Sequence, residues 1–159
     1  MISTLVCFNV ILHTDYRESA AKTITTYSTA EEASKRLAMP LFLLKTPPPN
    51  YEIVKLHATK LPADASLGAP GRTLVRLDYR NTATRHTLYV FQTAAAAQVD
   101  ARTHFLRAIN HSGLRIDQPT RNKFAVSRQS GMDFAATGDM ISEHSLSTLL
   151  KDFKVVKSG

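Results

Sequence analysis

The segment that most constrains the fold runs from residue 72 to residue 92, with the sequence RTLVRLDYRNTATRHTLYVFQ. Apolar and polar side chains alternate along both halves of this segment, which is the period of a β-strand with one buried face. A short polar connection, Asn81 to Arg85, separates the halves and has a normal length for a hairpin. The segment therefore predicts a β-hairpin with one apolar face and one basic face.

Alternation also divides the side chains of this hairpin between its faces. The apolar face is predicted to hold Val75, Leu77 and Tyr79, and the basic face Arg76, Asp78 and Arg80. Tyr79 is thereby assigned to the core and not to a binding surface. On the return strand, Leu88 and Val90 alternate with Thr87, Tyr89 and Phe91, and the last two aromatic residues are candidates for the exposed face.

Further elements follow from helical and strand periodicity on either side of the hairpin. Helices are predicted at 29–37, 93–110 and 145–153, and the first of these begins with Ser28 and Glu31 at the spacing of a capping box. Short apolar or alternating runs predict strands at 39–44, 51–60, 113–117, 122–128 and 132–137. The three prolines at 47–49 are interpreted as a rigid corner, and residues 61–71 as an exposed loop.

This order of elements lacks the regular strand and helix alternation of a parallel sheet. We therefore predict an α+β fold with a curved antiparallel sheet and two to three helices packed on one face. The length of 159 residues suits one domain. We assign residues 1–27 to an N-terminal strand or connector and residues 28–159 to a single α+β domain.

The net charge of +7 is concentrated in the middle of the chain. Residues 72–128 contain ten basic and three acidic residues, and nine of the ten basic residues are arginine. The planar guanidinium group binds carboxylate and phosphate groups well. The sequence therefore predicts a basic surface, with Arg76, Arg80, Arg85, Arg102 and Arg107 as candidate partner-binding residues. The alternative is a solvated basic face without a dedicated partner.

Motifs for catalysis and for cofactor binding are missing from the sequence. There is no phosphate-binding loop, no dinucleotide fingerprint, no HExxH and no CxxC pattern. Asp100, His104 and His111 have helical spacing but lack an obvious further ligand, so we interpret the histidines as surface residues. Asp139, Ser142, Glu143 and His144 contain the groups of a hydrolase, but a turn followed by a helix cap is the favoured interpretation. We predict a non-enzymatic protein without a metal or a cofactor.

The compartment of the protein is left open by the sequence. Cys7 is the only cysteine, which excludes an intramolecular disulfide. The apolar opening ISTLVCFNVIL is too short for a transmembrane helix and lacks the positive start of a signal peptide. We expect an extracytoplasmic location if an upstream signal or anchor is missing from this sequence, and a cytoplasmic location otherwise.

Several stretches resemble a bacterial extracytoplasmic domain of unknown function found in anti-sigma-factor-like proteins. The resemblance lies in AEEA leading into MPL, in PPPNY, in RTLVRLDYR with the returning HTLYVFQ, and in TGD followed by the apolar residues of 146–153. That domain is similar to lipoprotein-carrier and sigma-E-regulator folds. The resemblance implies a curved antiparallel sheet with helices on one side, acting as a sensory or ligand-binding module. It supplies no functional residues.

Two functions are compatible with these observations. The first is a non-enzymatic binding or regulatory module that presents a basic sheet face to an acidic protein or another anionic partner or surface. The alternative is a nucleic-acid-associated protein, since aromatic residues near arginines are typical of sheets on which bases stack. No RNP-type motif accompanies Tyr89 and Phe91.

Overall fold

The computed structural model describes residues 24–61, 72–114 and 123–156. The predicted N-terminal strand, most of the loop at 61–71 and most of the strand at 113–117 lie outside these residues. Eight strands and three helices are formed within them. The strands are β1 Thr25–Tyr27, β2 Leu41–Leu44, β3 Tyr51–Lys60, β4 Thr73–Asn81, β5 Thr87–Ala94, β6 Ala125–Gln129, β7 Met132–Gly138 and β8 Phe153–Val156. The helices are α1 Ala30–Leu37, α2 Ala101–Ser112 and α3 Glu143–Leu149.

The predicted hairpin is confirmed as β4 and β5, at the centre of the main sheet. The two strands pair antiparallel from Val75 opposite Gln92 to Arg80 opposite Thr87. The side chain of Asn81 stabilises the connection, because its Oδ1 accepts hydrogen bonds from the backbone N–H groups of Ala83 and Thr84. A polar side chain that bonds to the backbone two and three residues later favours a turn at this point.

Six strands form the main sheet, in the order β1, β3, β4, β5, β7, β6, and every neighbouring pair is antiparallel. The outer hairpin of β6 and β7 turns through Ser130 and Gly131, which both have positive φ angles. A two-residue turn of this kind matches the twist of the flanking strands. It sets Gln129 opposite Met132 and Arg128 opposite Asp133.

A separate two-stranded ribbon consists of β2 and β8. The edge of β2 that does not pair with β8 forms hydrogen bonds with side chains of the main sheet. The carboxamide of the buried Gln92 accepts from the Phe42 N–H at 2.9 Å and donates to the Phe42 carbonyl at 2.8 Å. The Leu44 N–H donates to the Tyr79 hydroxyl at 3.1 Å. Burial raises the pKa of Tyr79 to about 12, although the bond from Leu44 opposes this shift, and the predicted core position of Tyr79 is confirmed.

The helices divide between the two faces of the main sheet. On the ribbon side, α1, α3 and the β2–β8 ribbon cover a core that includes Leu77 and Phe134. On the opposite side, which we call the α2 side, α2 covers a second core built around Phe91 and Phe105. The α+β class and the antiparallel sheet are confirmed. Two helices, α1 and α3, share the ribbon side as predicted, whereas α2 covers the opposite face of the sheet. Leu74, Phe91 and Ala135 give the second face enough apolar surface to bury a helix of its own.

Several predicted boundaries require correction. Residues 93 and 94 extend β5 and pair with Asp133 and Met132 of β7, so the helix predicted at 93–110 begins only at Ala101. The four alanines at 94–97 have a high helix propensity, but at Ala94 the pairing with Met132 of β7 outweighs this propensity. The last helix ends at Leu149, because Phe153 belongs to β8 and pairs with Leu44.

The start of α1 also differs by one residue from the prediction. The N-cap is Thr29 and not Ser28, and the Thr29 hydroxyl accepts from the Glu32 N–H at 3.1 Å. Thr29 and Glu32 fit the capping-box pattern, a serine or threonine followed three residues later by glutamate, as well as Ser28 and Glu31 do, so the sequence supports either register.

Candidate functional site

Four of the five candidate arginines belong to the α2 side of the sheet. Arg76 and Arg80 point to this side because they alternate with the core residues Val75, Leu77 and Tyr79. Arg102 and Arg107 are carried by α2. Arg85 lies in the β4–β5 connection, where it is exposed and has a φ angle of 65°. The structure therefore brings strand and helix arginines to the same side, in different environments.

Arg76 is part of a three-residue group that we call the Asp78 cluster. The Arg76 Nε donates to Asp78 Oδ1 at 2.7 Å, and the Arg76 Nη2 donates to Asp78 Oδ2 at 3.0 Å. His57 on the neighbouring strand lies 3.2 Å from Asp78 through its Nε2. The guanidinium of Arg76 also lies 4.7 Å from the ring centre of Tyr89. Arg76 is thus bound to groups of its own protein, with a side chain only 13% exposed.

His57 has partners on both ring nitrogens. Its Nε2 faces the Asp78 carboxylate, and its Nδ1 lies 2.9 Å from the Thr26 hydroxyl on β1. Neutral His57 with its proton on Nε2 therefore donates to Asp78 and accepts from Thr26. Burial lowers the pKa of His57, and the charges of Arg76 and Lys55 act in the same direction against the effect of Asp78.

A second group of the same composition, the Asp133 cluster, lies on the same side of the sheet beneath α2. The Arg128 Nε donates to Asp133 Oδ1 at 2.6 Å, and the Arg128 Nη2 donates to Asp133 Oδ2 at 2.9 Å. His104 reaches Asp133 Oδ2 from α2 through its Nδ1 at 2.7 Å. The Arg128 Nη2 also donates to the carbonyls of Ala96 and Val99. This cluster therefore joins β6, β7, α2 and the segment before α2.

The Asp133 cluster is the more deeply buried of the two. The side chains of His104 and Asp133 are 0% and 3% exposed. Burial alone raises the pKa of Asp133, but the hydrogen bonds and charges of Arg128 and His104 outweigh it, so this pKa lies below its ordinary value. His104 Nε2 and Thr93 Oγ1 are buried without a hydrogen-bond partner. The prediction that His104 is a surface residue is wrong, because its ring links the helix to a buried carboxylate.

Arg80 and Arg85 are exposed near the β4–β5 connection. Arg80 ends the row that begins with Arg76 and lies opposite Glu52 of β3 and Thr87 of β5 in the strand register. Glu52 is exposed and shares the face of Arg80. This end of the sheet therefore carries two solvent-accessible guanidinium groups with one carboxylate directly across from Arg80.

The outer surface of α2 carries cations around an apolar side chain. Arg102 and Leu106 are exposed one helical turn apart, and the partly buried Arg107 follows Leu106. The Arg102 guanidinium lies 4.2 Å from the ring centre of Phe124. The helix has no acidic residue, and the carboxylate of its N-cap, Asp100, accepts hydrogen bonds from the Thr103 N–H and hydroxyl.

Acidic groups on the two sides of the sheet differ in whether they pair with nearby cations or lie exposed to solvent. On the α2 side, Asp78 and Asp133 each pair with an arginine, and two carboxylates are exposed: Asp100, which caps α2, and Glu52, opposite Arg80. On the ribbon side, the acidic residues Glu31, Glu32 and Glu143 lie exposed on α1 and α3. Exposed positive charge is thus less compensated on the α2 side than on the ribbon side.

The candidate hydrolase residues line a groove of about 580 Å³ beside α3. The residues around it are Pro48, Met140, Ile141, Ser142, His144, Ser145, Thr148 and Leu149. The Ser142 hydroxyl caps α3, since it accepts from the Ser145 N–H at 3.1 Å and donates to the Ser145 hydroxyl at 2.9 Å. The Asp139 carboxylate accepts from the Thr87 backbone N–H. These contacts are those of a turn and a helix cap, and they pair neither group with His144.

Residues that could hold a metal are also separated. Asp100 caps α2, whereas His104 is bonded to Asp133 on the buried side of that helix. Within the three described ranges, no three histidine, cysteine, aspartate or glutamate side chains meet in a group suited to a metal ion.

Five residues of the two clusters were not among the candidate binding residues from the sequence: His57, Asp78, His104, Arg128 and Asp133. A signal existed for one pair. Ser130 and Gly131 favour a two-residue turn, and such a turn places Arg128 opposite Asp133. The two histidines come from other elements, and their approach to a carboxylate depends on the tertiary structure.

None of the helices in the described part of the chain is long and apolar enough to cross a membrane. Comparison with protein-family models, with curated proteins and with solved structures finds no match. The resemblance to the extracytoplasmic domain accordingly stays a prediction.

Proposed function

We propose that this chain is a non-enzymatic binding module that engages an acidic protein, or another anionic partner, with the α2 side of its sheet. The observation that carries the proposal is the unequal compensation of charge on the two sides. Arg80, Arg85 and Arg102 are exposed, Asp78 and Asp133 are each bonded to an arginine, and Glu52 is the exposed carboxylate opposite Arg80. A surface on which exposed cations outnumber exposed carboxylates attracts anionic partners and accelerates their association.

Arg76 has a different part in this proposal. Its two hydrogen bonds to Asp78 and its contact with Tyr89 hold it in the sheet. A glutamate at this position would face the Asp78 carboxylate, so a loss of binding in such a variant would be confounded with a loss of stability. The test therefore uses the four remaining arginines.

The experiment measures binding of fluorescein-labelled poly-L-glutamate by fluorescence anisotropy at low and at moderate salt. Two double variants, Arg80→Glu with Arg85→Glu and Arg102→Glu with Arg107→Glu, each reverse two charges of the candidate arginines. We expect at least one of them to weaken binding roughly tenfold, and wild-type affinity to fall as salt rises. Circular dichroism and thermal unfolding verify that each variant folds.

Lys35→Glu with Arg36→Glu provides the matched control. Both residues are exposed on α1, on the ribbon side, and their replacement changes the net charge by the same amount. If this control weakens binding as much as the α2-side variants, binding depends on net charge alone and the proposal fails. The proposal also fails if the wild type does not bind at low salt.

Aromatic contacts support an acidic protein over a nucleic acid as the partner. Phe91 is buried against Phe105, and the rings of Tyr89 and Phe124 are covered by Arg76 and Arg102. Stacking of bases requires accessible ring faces. Parallel titrations with single-stranded and duplex oligonucleotides separate the two classes, and tighter binding of either oligonucleotide would replace the acidic partner with a nucleic acid.

The resemblance implies a sensory role outside the cytoplasm, and this location is part of the proposal. Fractionation of cells that express the chain from its natural gene tests it, since recovery in the cytoplasm would remove the extracytoplasmic setting without affecting the binding test.

A further inference from the structure

Two buried polar atoms beside the Asp133 cluster have no hydrogen-bond partner among the described residues. They are the Nε2 of His104 on α2 and the Oγ1 of Thr93 on β5. His104 is 0% and Thr93 is 3% exposed, so neither atom is satisfied by bulk solvent. Native proteins pair nearly all buried polar groups with a protein group or with an ordered water, because an unpaired one is costly.

Both atoms belong to side chains that flank the same carboxylate. Thr93 lies directly opposite Asp133 in the pairing of β5 with β7, and the Cβ atoms of such residues are about 4.5–5.5 Å apart. Both residues face α2, because Phe91 and Ala135, two positions away on each strand, belong to the second core. His104 reaches Asp133 Oδ2 from above through its Nδ1, at 2.7 Å. The helix and the strand thus bring their unpartnered atoms to one place.

The cluster itself defines what these atoms need. Asp133 accepts two hydrogen bonds from Arg128 and acts as an ionised carboxylate, so the proton that His104 shares with it is carried by Nδ1. In neutral His104 the Nε2 then has a lone pair and requires a donor. The Thr93 hydroxyl can donate and accept. A molecule that donates to Nε2 and bonds to this hydroxyl satisfies both atoms.

Charge and space limit this molecule to a small neutral one. The Arg128 guanidinium and the Asp133 carboxylate already compensate each other, so an added ion would be buried without a counter-charge. The residue one turn after His104 on α2 is Ala108, and the next residue on the same face of β7 after Asp133 is Ala135. Both alanines are buried, and their short side chains leave room between helix and sheet. A buried site with at least two polar partners and enough room suits a water molecule.

We propose that one buried water molecule bridges His104 Nε2 and Thr93 Oγ1. The water donates one hydrogen bond to the imidazole and forms a second with the threonine hydroxyl. This bridge connects α2 with β5, whereas the direct bond from His104 connects α2 with β7. The water is therefore part of the attachment of the helix to the sheet, and its presence does not depend on the anionic partner proposed above.

A crystal structure of the full chain, at a resolution that shows ordered waters, tests the bridge directly. We expect a density peak within hydrogen-bonding distance of both His104 Nε2 and Thr93 Oγ1. A direct bond between these two atoms, a protein side chain at this position or an empty site would each overturn the inference.

Thr93→Val provides an independent test, because valine keeps the shape of threonine and removes the hydroxyl. With a bridging water, the variant loses one hydrogen bond, and the unfolding equilibrium constant measured in urea should rise roughly five- to tenfold. If the hydroxyl were unpaired, its removal would leave stability unchanged or improve it, and such a result would refute the bridge.

His104→Leu supplies the matched background for the same substitution. Leucine cannot bond to the water, so the Thr93 hydroxyl loses its partner, and Thr93→Val should now lower the unfolding equilibrium constant. The substitution therefore changes sign between the two backgrounds. An equal rise in both backgrounds would show that Thr93 acts independently of His104 and would also refute the bridge. Circular dichroism verifies that each variant folds.

Discussion

The Asp78 and Asp133 clusters are built from the same three residue types and differ in what they connect. In both clusters an arginine donates twice to one aspartate, and a histidine approaches the same carboxylate. Arg76, Asp78 and His57 all belong to adjacent strands of the main sheet. In the Asp133 cluster, by contrast, His104 comes from α2 and the other two residues from β6 and β7.

Solvent access separates the two clusters further. His57 and Asp78 retain side-chain exposures of 16% and 12%, whereas His104 and Asp133 are almost completely buried. Water weakens the attraction between charged groups, and it also satisfies a polar group that loses its partner. The same three residue types therefore connect neighbouring strands in the Asp78 cluster and hold a helix against the sheet in the Asp133 cluster.

The largest expected difference between the clusters concerns the central carboxylates. Asp133→Ala removes the acceptor of both the buried His104 and Arg128, and we expect it to lower the free energy of unfolding by about 3–5 kcal/mol. Asp78→Ala should cost about 1–2 kcal/mol, since water replaces part of the lost interaction. Urea unfolding followed by circular dichroism measures both values. Equal losses in the two variants would show that burial does not distinguish the clusters.

Replacement of the histidines gives a smaller difference in the same direction. His104→Leu keeps an apolar side chain in the core and leaves Asp133 with Arg128, so we expect a loss of about 1–2 kcal/mol. His57→Leu should change stability by less than about 0.5 kcal/mol, as is usual for partly exposed positions. Amide hydrogen exchange offers a second measurement, because only the His104 variant should reduce protection of the amides of α2. Loss of protection in both variants would contradict the assignment of helix docking to the Asp133 cluster alone.

The smallest expected effect is that the two clusters change the free energy of unfolding in different pH ranges. Folding lowers the pKa of His57 from 6.5, so the unfolded chain binds its proton more readily, and His57 makes stability fall as the pH drops through 6.5. Folding also lowers the pKa of Asp133 from 3.8, so its contribution is present above that value and is lost at more acidic pH. Unfolding free energies of wild type and His57→Leu across this range measure the effect of His57. An identical slope around pH 6.5 in both proteins would contradict it.

Local sequence patterns were sufficient for the central part of the fold. The alternation of residues 72–92 predicted both strands of the hairpin, the core position of Tyr79 and the opposite orientation of Arg76 and Arg80, and the structure confirms these assignments. Side chains alternate between the two faces of a strand from one residue to the next, so the local sequence alone indicates which residues face the core. The strands predicted at 122–128 and 132–137 correspond to β6 and β7, and they were recognised for the same reason.

Contacts between distant elements could not be predicted in this way. The alanines after β5 favour a helix, but pairing with β7 extends the strand to Ala94. His104 has the spacing of a residue on an amphipathic helix, and its burial follows from the approach of Asp133 from β7. The second core was missed because the α2 side of a strand carries charged residues as well as apolar ones. On β4, for example, Leu74 shares this face with Arg76 and Asp78, which pair with each other. The five candidate arginines were identified by their charge alone. Charge does not reveal whether a side chain is free to bind a partner, and Arg76 is bonded to Asp78.

The pairing of β2 with β8 has a consequence for the order in which the molecule forms. All strands of the main sheet precede β8 in the chain, so the sheet can pair before β8 joins the fold. Until then β2 lacks its partner strand, and Gln92 and Tyr79 are the groups available to bond its free edge. Closing the long loop between β2 and β8 costs entropy before their contacts are gained. Completion of the ribbon is therefore expected to be a late event, during which the apolar surface around Leu77 and Phe134 is open to other chains.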